Sequence, residues 1–150
     1  MGLDMYLNKK TYVKQWDHQS PEEKYEVVVT KGGEPVDGIK ASRVKYIEEE
    51  VGYWRKANQI HRWFVENIQQ GEDDCGNYYV DQSDLKTLLE LCKKVQADHS
   101  LAESLLPSAS GFFFGGTDYD EWYYNDIENT IKILEEALAE DGDFYYTSSW

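Results

Sequence analysis

One short stretch of this sequence carries the side chains best suited to bind an anion. On a helix, a rotation of roughly 100° per residue would place Trp54, Asn58 and His61 in one narrow sector of the surface. Arg55 and Arg62 would then lie at the edge of the same face. Guanidinium groups beside polar side chains favour phosphate recognition, and an indole ring offers a stacking surface. We therefore predict a ligand-binding site for a small anion here.

A structural role for the same residues is the alternative. Asn58 and His61 would then hydrogen-bond the backbone of neighbouring elements, since buried polar groups are usually satisfied in this way. Arg55 and Arg62 would pair with surface carboxylates. The sequence leaves both interpretations open.

A glycine-rich segment, residues 111–117, precedes the last predicted helix and superficially resembles a phosphate-binding loop. It lacks the lysine of such loops, and Asp118, Asp120 and Glu121 follow it directly. Those carboxylates complement the helix dipole and would repel phosphate, which argues against a nucleotide hydrolase. Of the three consecutive phenylalanines in the loop, Phe113 is the central one. We predict that the loop forms a core plug or the wall of the ligand pocket, and we include Phe113 in the site.

Neither a metal site nor a catalytic signature is recognisable, and we predict no cofactor. The acidic loop near residues 72–81 lacks the ligand spacing of a calcium loop, and the three histidines are far apart. Cys75 and Cys92 show no CxxC spacing, and both are expected to be reduced. We favour a binding protein over an enzyme. A small enzyme that uses His61 as acid or base, with Cys75 or a carboxylate, stays an alternative, and Trp150 with its neighbours either lines a site or completes the sheet.

The elements that must position these residues predict an α+β fold in a single domain, residues 1–150. Alternating apolar residues predict an N-terminal strand over 3–13, and a β-branched run predicts another over 25–30 that ends in a glycine turn. Phe144–Thr147 is predicted as a last strand that joins the N-terminal strands in one small sheet. Apolar residues at helical spacing predict three covering helices, at about 42–68, 82–98 and 118–140.

The ends of these helices also carry recognisable signals. Ser42 is the expected N-cap of the first helix, and Gly71 its end, although Gly52 is a poor helix former. Asp81 is the expected N-cap of the second helix, and Thr117 that of the third. Trp63 would lie on the polar face of the first helix, where an exposed ring predicts a homo-oligomer that forms through it. The alternative is that the N-terminal segment or the aromatic loop covers this ring.

Several segments together resemble a family of small uncharacterised proteins carried by bacteriophages and prophages. The resemblance covers nearly the whole chain and is carried by the segments 1–7 (MGLDMYL), 51–58 (VGYWRKAN), 74–76 (DCG), 110–115 (SGFFFG), 121–124 (EWYY) and 144–150 (FYYTSSW). It implies a phage accessory protein that acts in the cytoplasm of a bacterial host cell. It brings no catalytic residues with it.

The charge of the chain narrows the classes of partner. A formal net charge of −14 opposes contact with nucleic acids and anionic membranes, so neither is predicted as a partner. Our preferred interpretation is a phage protein that binds, and thereby sequesters, a small anionic ligand of nucleotide type to counteract host defence signalling. The alternative is an acidic protein–protein inhibitor that docks on a basic host protein.

Overall fold

The computed structural model describes residues 2–111 and 113–150, so the predicted roles of Met1 and Phe112 lie outside the described residues. The described part forms six strands, four α-helices and three short 3-10 turns. The strands are β1 (Asp4–Tyr12), β2 (Thr30–Lys31), β3 (Glu34–Pro35), β4 (Tyr46–Arg55), β5 (Asn77–Val80) and β6 (Asp143–Ser149). The helices are α1 (Asn58–Asn67), α2 (Gln82–Ala97), α3 (Ala102–Leu105) and α4 (Glu121–Leu138).

Contacts divide the chain into two compact units, one of residues 1–9 with 50–150 and one of residues 10–49. Four strands form one sheet in the order β4-β1-β6-β5. The predicted α+β class is confirmed, because strands from both ends of the chain, β1 and β6, are neighbours at the centre of this sheet.

The larger unit contains the hydrophobic core, to which every second residue of the central strands contributes its side chain. Met5 and Leu7 of β1 and Phe144 and Tyr146 of β6 are all fully buried. This is the period of two expected when one face of a sheet is covered. Helices α2 and α4 pack against each other, and their buried apolar residues join the same core cluster.

The predicted helix over 42–68 is wrong in its first half, where the chain forms strand β4 up to Arg55. Ile47 is half-exposed, whereas Gly52 and Trp54 are buried and their neighbours Tyr53 and Arg55 are exposed. β-Branched and aromatic residues favour a strand, and Gly52 disfavours a helix. Residues 46–55 therefore pair with the sheet, although their apolar residues happen to have helical spacing.

The other two predicted helices are confirmed as elements. Asp81 caps α2 as predicted, because its side chain accepts a hydrogen bond from the backbone nitrogen of Ser83 at 2.8 Å. The third helix begins later than predicted, since Asp120 rather than Thr117 is its N-cap and accepts from the backbone nitrogen of Tyr123. The predicted C-terminal strand is confirmed as β6, which pairs antiparallel with β5.

The second unit, residues 10–49, contains little buried apolar surface. Its β2 and β3 form a two-stranded ribbon around Gly32 and Gly33, which both have positive φ, as the predicted turn requires. The predicted strand over 25–30 is wrong except at Thr30, and Val28 is 75% exposed. One further backbone bond lies beyond Pro35, where the nitrogen of Val36 donates to the carbonyl oxygen of Val29 at 3.3 Å.

Gly52 generates a prediction about the packing of β4. A β-carbon at this position would lie 2.6 Å from Cγ2 of Ile133, closer than any real contact. We expect Gly52→Ala to lower the free energy of unfolding by about 1–3 kcal/mol, because the core must move to admit the methyl group. Urea denaturation would measure the change. Gly38→Ala is the matched control, since nothing lies within 4 Å of that β-carbon position; equal stability of the two variants would contradict the packing described.

Candidate functional site

The junction between β4 and α1 places several polar residues side by side. The chain turns at Lys56, whose φ of 57° lies in the left-handed region that side chains other than glycine rarely adopt. The Lys56 backbone nitrogen donates to the carbonyl oxygen of Leu3 at 2.8 Å, which fixes the turn to the segment that leads into β1. Backbone strain of this kind is typical of functional sites.

Asn58, at the start of α1, is 3% exposed and uses both ends of its amide. Its Nδ2 donates to the carbonyl oxygens of Phe114, at 3.0 Å, and Gly116, at 2.8 Å. Its Oδ1 accepts from the backbone nitrogen of Ala109 at 3.0 Å. Asn58 therefore holds both ends of the loop 109–116 against α1, and the structural alternative accounts for its amide.

A cavity with a volume of about 330 Å³ opens between this junction and the start of α4. The β4–α1 junction supplies two cationic and two amide side chains, the loop supplies backbone, and α4 and its N-terminal approach supply carboxylates and aromatic rings. The lining residues are Arg55, Lys56, Asn58, Gln59, Gly115, Gly116, Asp118, Asp120, Trp122, Tyr123 and Asp126. This cavity contains Arg55 and Asn58 from the predicted site.

The cations of the cavity differ in how they are paired. Arg55 forms an ion pair with Asp4, with Nη1 3.2 Å from Oδ1. Lys56 forms no ion pair within the described part of the chain. Trp122, in the first turn of α4, is 77% exposed and presents its indole ring at the rim. A free ammonium group thus lies in the same cavity as an exposed aromatic ring.

Asp126 is the carboxylate of the cavity with the most altered chemistry. Burial raises the pKa of Asp126 to about 6, and the neighbouring Asp120 acts in the same direction, while a hydrogen bond from Gln59 opposes both. The amide of Gln59 is also held by the main chain, since its Nε2 donates to the carbonyl oxygen of Tyr123 at 3.1 Å. Asp126 is therefore a poorly solvated acceptor in the wall of the cavity.

The structure separates the other predicted site residues from this cavity. Trp54 lies in the core, and its Nε1 donates to Oγ1 of Thr130 at 2.8 Å. Arg62 pairs with Glu66 at 2.8 Å and donates to the carbonyl oxygen of Ser108 at 3.2 Å. It lines a second, smaller cavity of about 190 Å³ together with Trp63.

The expectation that Trp63 is exposed is wrong. Its side chain is 7% exposed and contacts Phe64 edge to face, with ring centroids 5.2 Å apart. A shorter helix α1 that begins at Asn58 packs most of its circumference, so the face expected to be polar is covered. The predicted self-association through Trp63 therefore lacks the exposed ring on which it depended.

His61 lies in a buried hydrogen-bonded chain. Its Nδ1 lies 2.6 Å from the Tyr146 hydroxyl, and its Nε2 lies 2.9 Å from Oδ2 of Asp73. Since a carboxylate only accepts, Nε2 carries a proton, and in the neutral imidazole the Tyr146 hydroxyl then donates to Nδ1. Oδ1 of Asp73 accepts from Nε1 of Trp150 at 3.0 Å. Both nitrogens of His61 are thus engaged within the protein, which is the structural role.

A third cavity, of about 350 Å³, lies at the outer end of this chain. Its lining residues are Asp73, Ser110, Gly111, Phe113, Phe114 and Trp150. Phe113 from the predicted site lies here as part of the cavity wall, and its role in binding a ligand stays a prediction. The structure thus distributes the predicted residues among three cavities and the core.

Sequence reasoning missed Lys56, Trp122 and Asp126 as cavity residues. Trp122 and Asp126 both lie off the apolar stripe of α4, and a large aromatic ring off such a stripe is a signal that could have been used. Nothing in the local sequence marks Lys56 as a cavity residue, because its backbone conformation depends on the strand that precedes it. The pairing of His61 with Asp73 depends on the fold in the same way.

Residues 2–111 and 113–150 contain no group of three or more histidine, cysteine or acidic residues that could hold a metal ion. Both cysteines are free, and burial raises the pKa of the Cys92 thiol to about 12. No described helix is both long and apolar enough to cross a bilayer. No protein-family profile, curated protein or solved structure matches this chain.

Asn58 generates a prediction about the loop that borders two cavities. We expect Asn58→Ala to lower the free energy of unfolding by about 1–3 kcal/mol, because three partly buried hydrogen bonds between the Asn58 amide and the main chain are lost. Hydrogen exchange should also speed up at the amide of Ala109, which Asn58 accepts from. Asn129→Ala, an exposed asparagine of α4, is the control. Unchanged exchange at Ala109 would contradict this role of Asn58.

Asp126 generates a prediction about pH. Its pKa in the folded protein lies above the ordinary 3.8, so the folded protein binds more protons than the unfolded chain between about pH 4 and 6. Its contribution to stability therefore falls as pH rises through this window and stays low above it.

We expect Asp126→Asn to raise the free energy of unfolding by about 1 kcal/mol at neutral pH, a value reduced by partial solvent exposure. The gain should shrink towards zero as the pH falls to about 4. Urea denaturation at several pH values would measure it. The exposed Asp141→Asn is the control, and a gain that does not depend on pH would contradict the assignment.

Proposed function

We propose that this protein binds a small anionic ligand of nucleotide type in the cavity between the β4–α1 junction and α4. The proposal rests chiefly on Lys56, which forms no ion pair with any residue that the structure describes and is held with strained backbone in a cavity shared with Trp122. A phosphate group is the expected partner of Lys56 and Arg55, because Arg55 contacts Asp4 with only part of its donor set. The predicted anionic ligand is retained, with a different set of residues.

The carboxylates of the same cavity restrict the ligand further. Asp118, Asp120 and Asp126 would repel a ligand that is anionic throughout. They would accept hydrogen bonds from a base that carries an exocyclic amine, while its ring stacks on Trp122. Stacking of this kind contributes about 1–3 kcal/mol per base. The ligand class that fits both halves is a nucleotide with an amino-substituted base.

The biological context is a further part of the proposal. The resemblance to small phage and prophage proteins supports a role inside an infected bacterium, where sequestration of a nucleotide signal would counteract host defence. The long-range field of a chain with net charge −14 opposes capture of an anion. Binding must therefore depend on close contacts in the cavity, and affinity should survive moderate salt.

Calorimetric titration with adenine, guanine, cytosine and uracil nucleotides, including cyclic and ADP-ribose types, tests the proposal. We expect binding of a nucleotide with an amino-substituted base, weakened about tenfold in Lys56→Gly and in Trp122→Ala. Glycine accepts the positive φ at position 56, so the first variant removes the ammonium group without added strain.

The matched controls are Lys132→Ala, which removes an exposed lysine of α4, and Trp16→Ala, which removes a half-exposed tryptophan of residues 10–49. Both should bind as the unmodified protein does. Full binding by Lys56→Gly and Trp122→Ala together would move the ligand to another place. Binding of uracil nucleotides as strong as that of the others would contradict the role of the carboxylates.

A second function, docking on another protein, is favoured by residues 10–49. This unit exposes several large apolar side chains, with Val28 75%, Tyr25 52%, Ile39 50% and Trp16 48% exposed. Exposed apolar side chains together with strong acidity suit a basic protein partner. Absence of binding across the whole nucleotide panel would favour this alternative, the acidic protein–protein inhibitor.

A further inference from the structure

The third cavity has a chemistry opposite to that of the first. Its walls are mainly aromatic, since Phe113, Phe114 and Trp150 line it, and it shares no lining residue with the nucleotide cavity. The rings of Phe114 and Trp150 meet edge to face, with centroids 6.5 Å apart and planes at 68°. One carboxylate, that of Asp73, lies among these rings.

Asp73 is held firmly but is not neutralised by a permanent cation. Ring N–H groups of His61 and Trp150 each donate to one of its oxygens, at 2.9 and 3.0 Å. Within residues 2–111 and 113–150, no lysine or arginine forms an ion pair with it. Each oxygen keeps a free lone pair, and the two ring donors fix the orientation of the carboxylate at the cavity wall.

We infer that this cavity binds an organic ammonium cation, in which the methylated nitrogen contacts the aromatic rings and its charge is balanced by Asp73. Aromatic ring faces attract such cations, and several rings around one position form the known type of cage for quaternary ammonium groups. The acidic field of the whole protein attracts a cation as well. A metal ion would need more oxygen ligands than the one carboxylate offers.

The first experiment uses the unmodified protein and two ligands of the same shape. Choline carries a quaternary nitrogen, and 3,3-dimethyl-1-butanol replaces that nitrogen with carbon, so only the charge differs. We expect choline to shift the indole N–H resonance of Trp150 in an NMR titration, and the neutral alcohol to bind about tenfold more weakly or not at all. Equal affinities of the two ligands, or no shift with choline, would overturn the inference.

The second experiment compares variants by calorimetry with choline. Phe113→Leu removes one ring but keeps an apolar side chain and the backbone bond that Leu3 makes to its carbonyl oxygen at 3.0 Å. Asp73→Asn removes the charge, although its single acceptor oxygen leaves one of the two ring donors unsatisfied. We expect both variants to weaken choline binding by about tenfold.

Asp141→Asn is the charge-matched control, because this substitution of an exposed residue removes one negative charge from the protein, as Asp73→Asn does. It should bind choline as the unmodified protein does. If Asp73→Asn fails to fold, Phe113→Leu decides the matter. Unaltered choline binding by Phe113→Leu would then overturn the inference, and loss in the control as large as that in Asp73→Asn would overturn the role of Asp73.

Discussion

The first and third cavities both depend on three hydrogen bonds that the buried amide of Asn58 makes to a single loop. Asn58 donates to the carbonyl oxygens of Phe114 and Gly116 and accepts from the backbone nitrogen of Ala109. The end of this loop borders the first cavity, and its middle forms the aromatic wall of the third. A loop of this length loses conformational entropy when it is ordered, and the hydrogen bonds of the amide at both ends offset part of that free-energy cost.

The position of Asn58 depends in turn on the strand before it. Lys56 turns the chain abruptly out of β4 at positive φ, and its backbone nitrogen is bonded to Leu3. Trp54, two residues earlier, attaches β4 to α4 through Thr130. The sheet therefore fixes the start of α1, and through it the loop.

Charge is distributed unevenly over the two cavities. In one, an unpaired ammonium group and several carboxylates lie around an exposed indole ring, which suits a ligand with separate anionic and hydrogen-bond-donating parts. In the other, one oriented carboxylate lies among aromatic rings, which suits a cation. His61 contributes to the second by holding Asp73 and by packing edge to face against Phe114, while both of its ring nitrogens are occupied. The acid–base role of His61 stays a prediction that such bonding disfavours.

The sequence by itself determined the strand at each end, the helices α2 and α4, and the cap Asp81, because these depend on local periodicity and capping. It also singled out Asn58 as a buried polar side chain, and Phe113 as part of a loop that plugs the core or lines a pocket. Only the tertiary structure decided that residues 46–55 form a strand, since pairing with β1 outweighs a helical spacing of apolar residues. The strand turns Trp54 and Arg55 to opposite faces, and the fold places Lys56 and Trp122 in the wall of one cavity and Asp73 beside His61 and Trp150. Contacts between residues far apart in sequence carry no local signal, and for that physical reason the composition of each cavity emerged only with the fold.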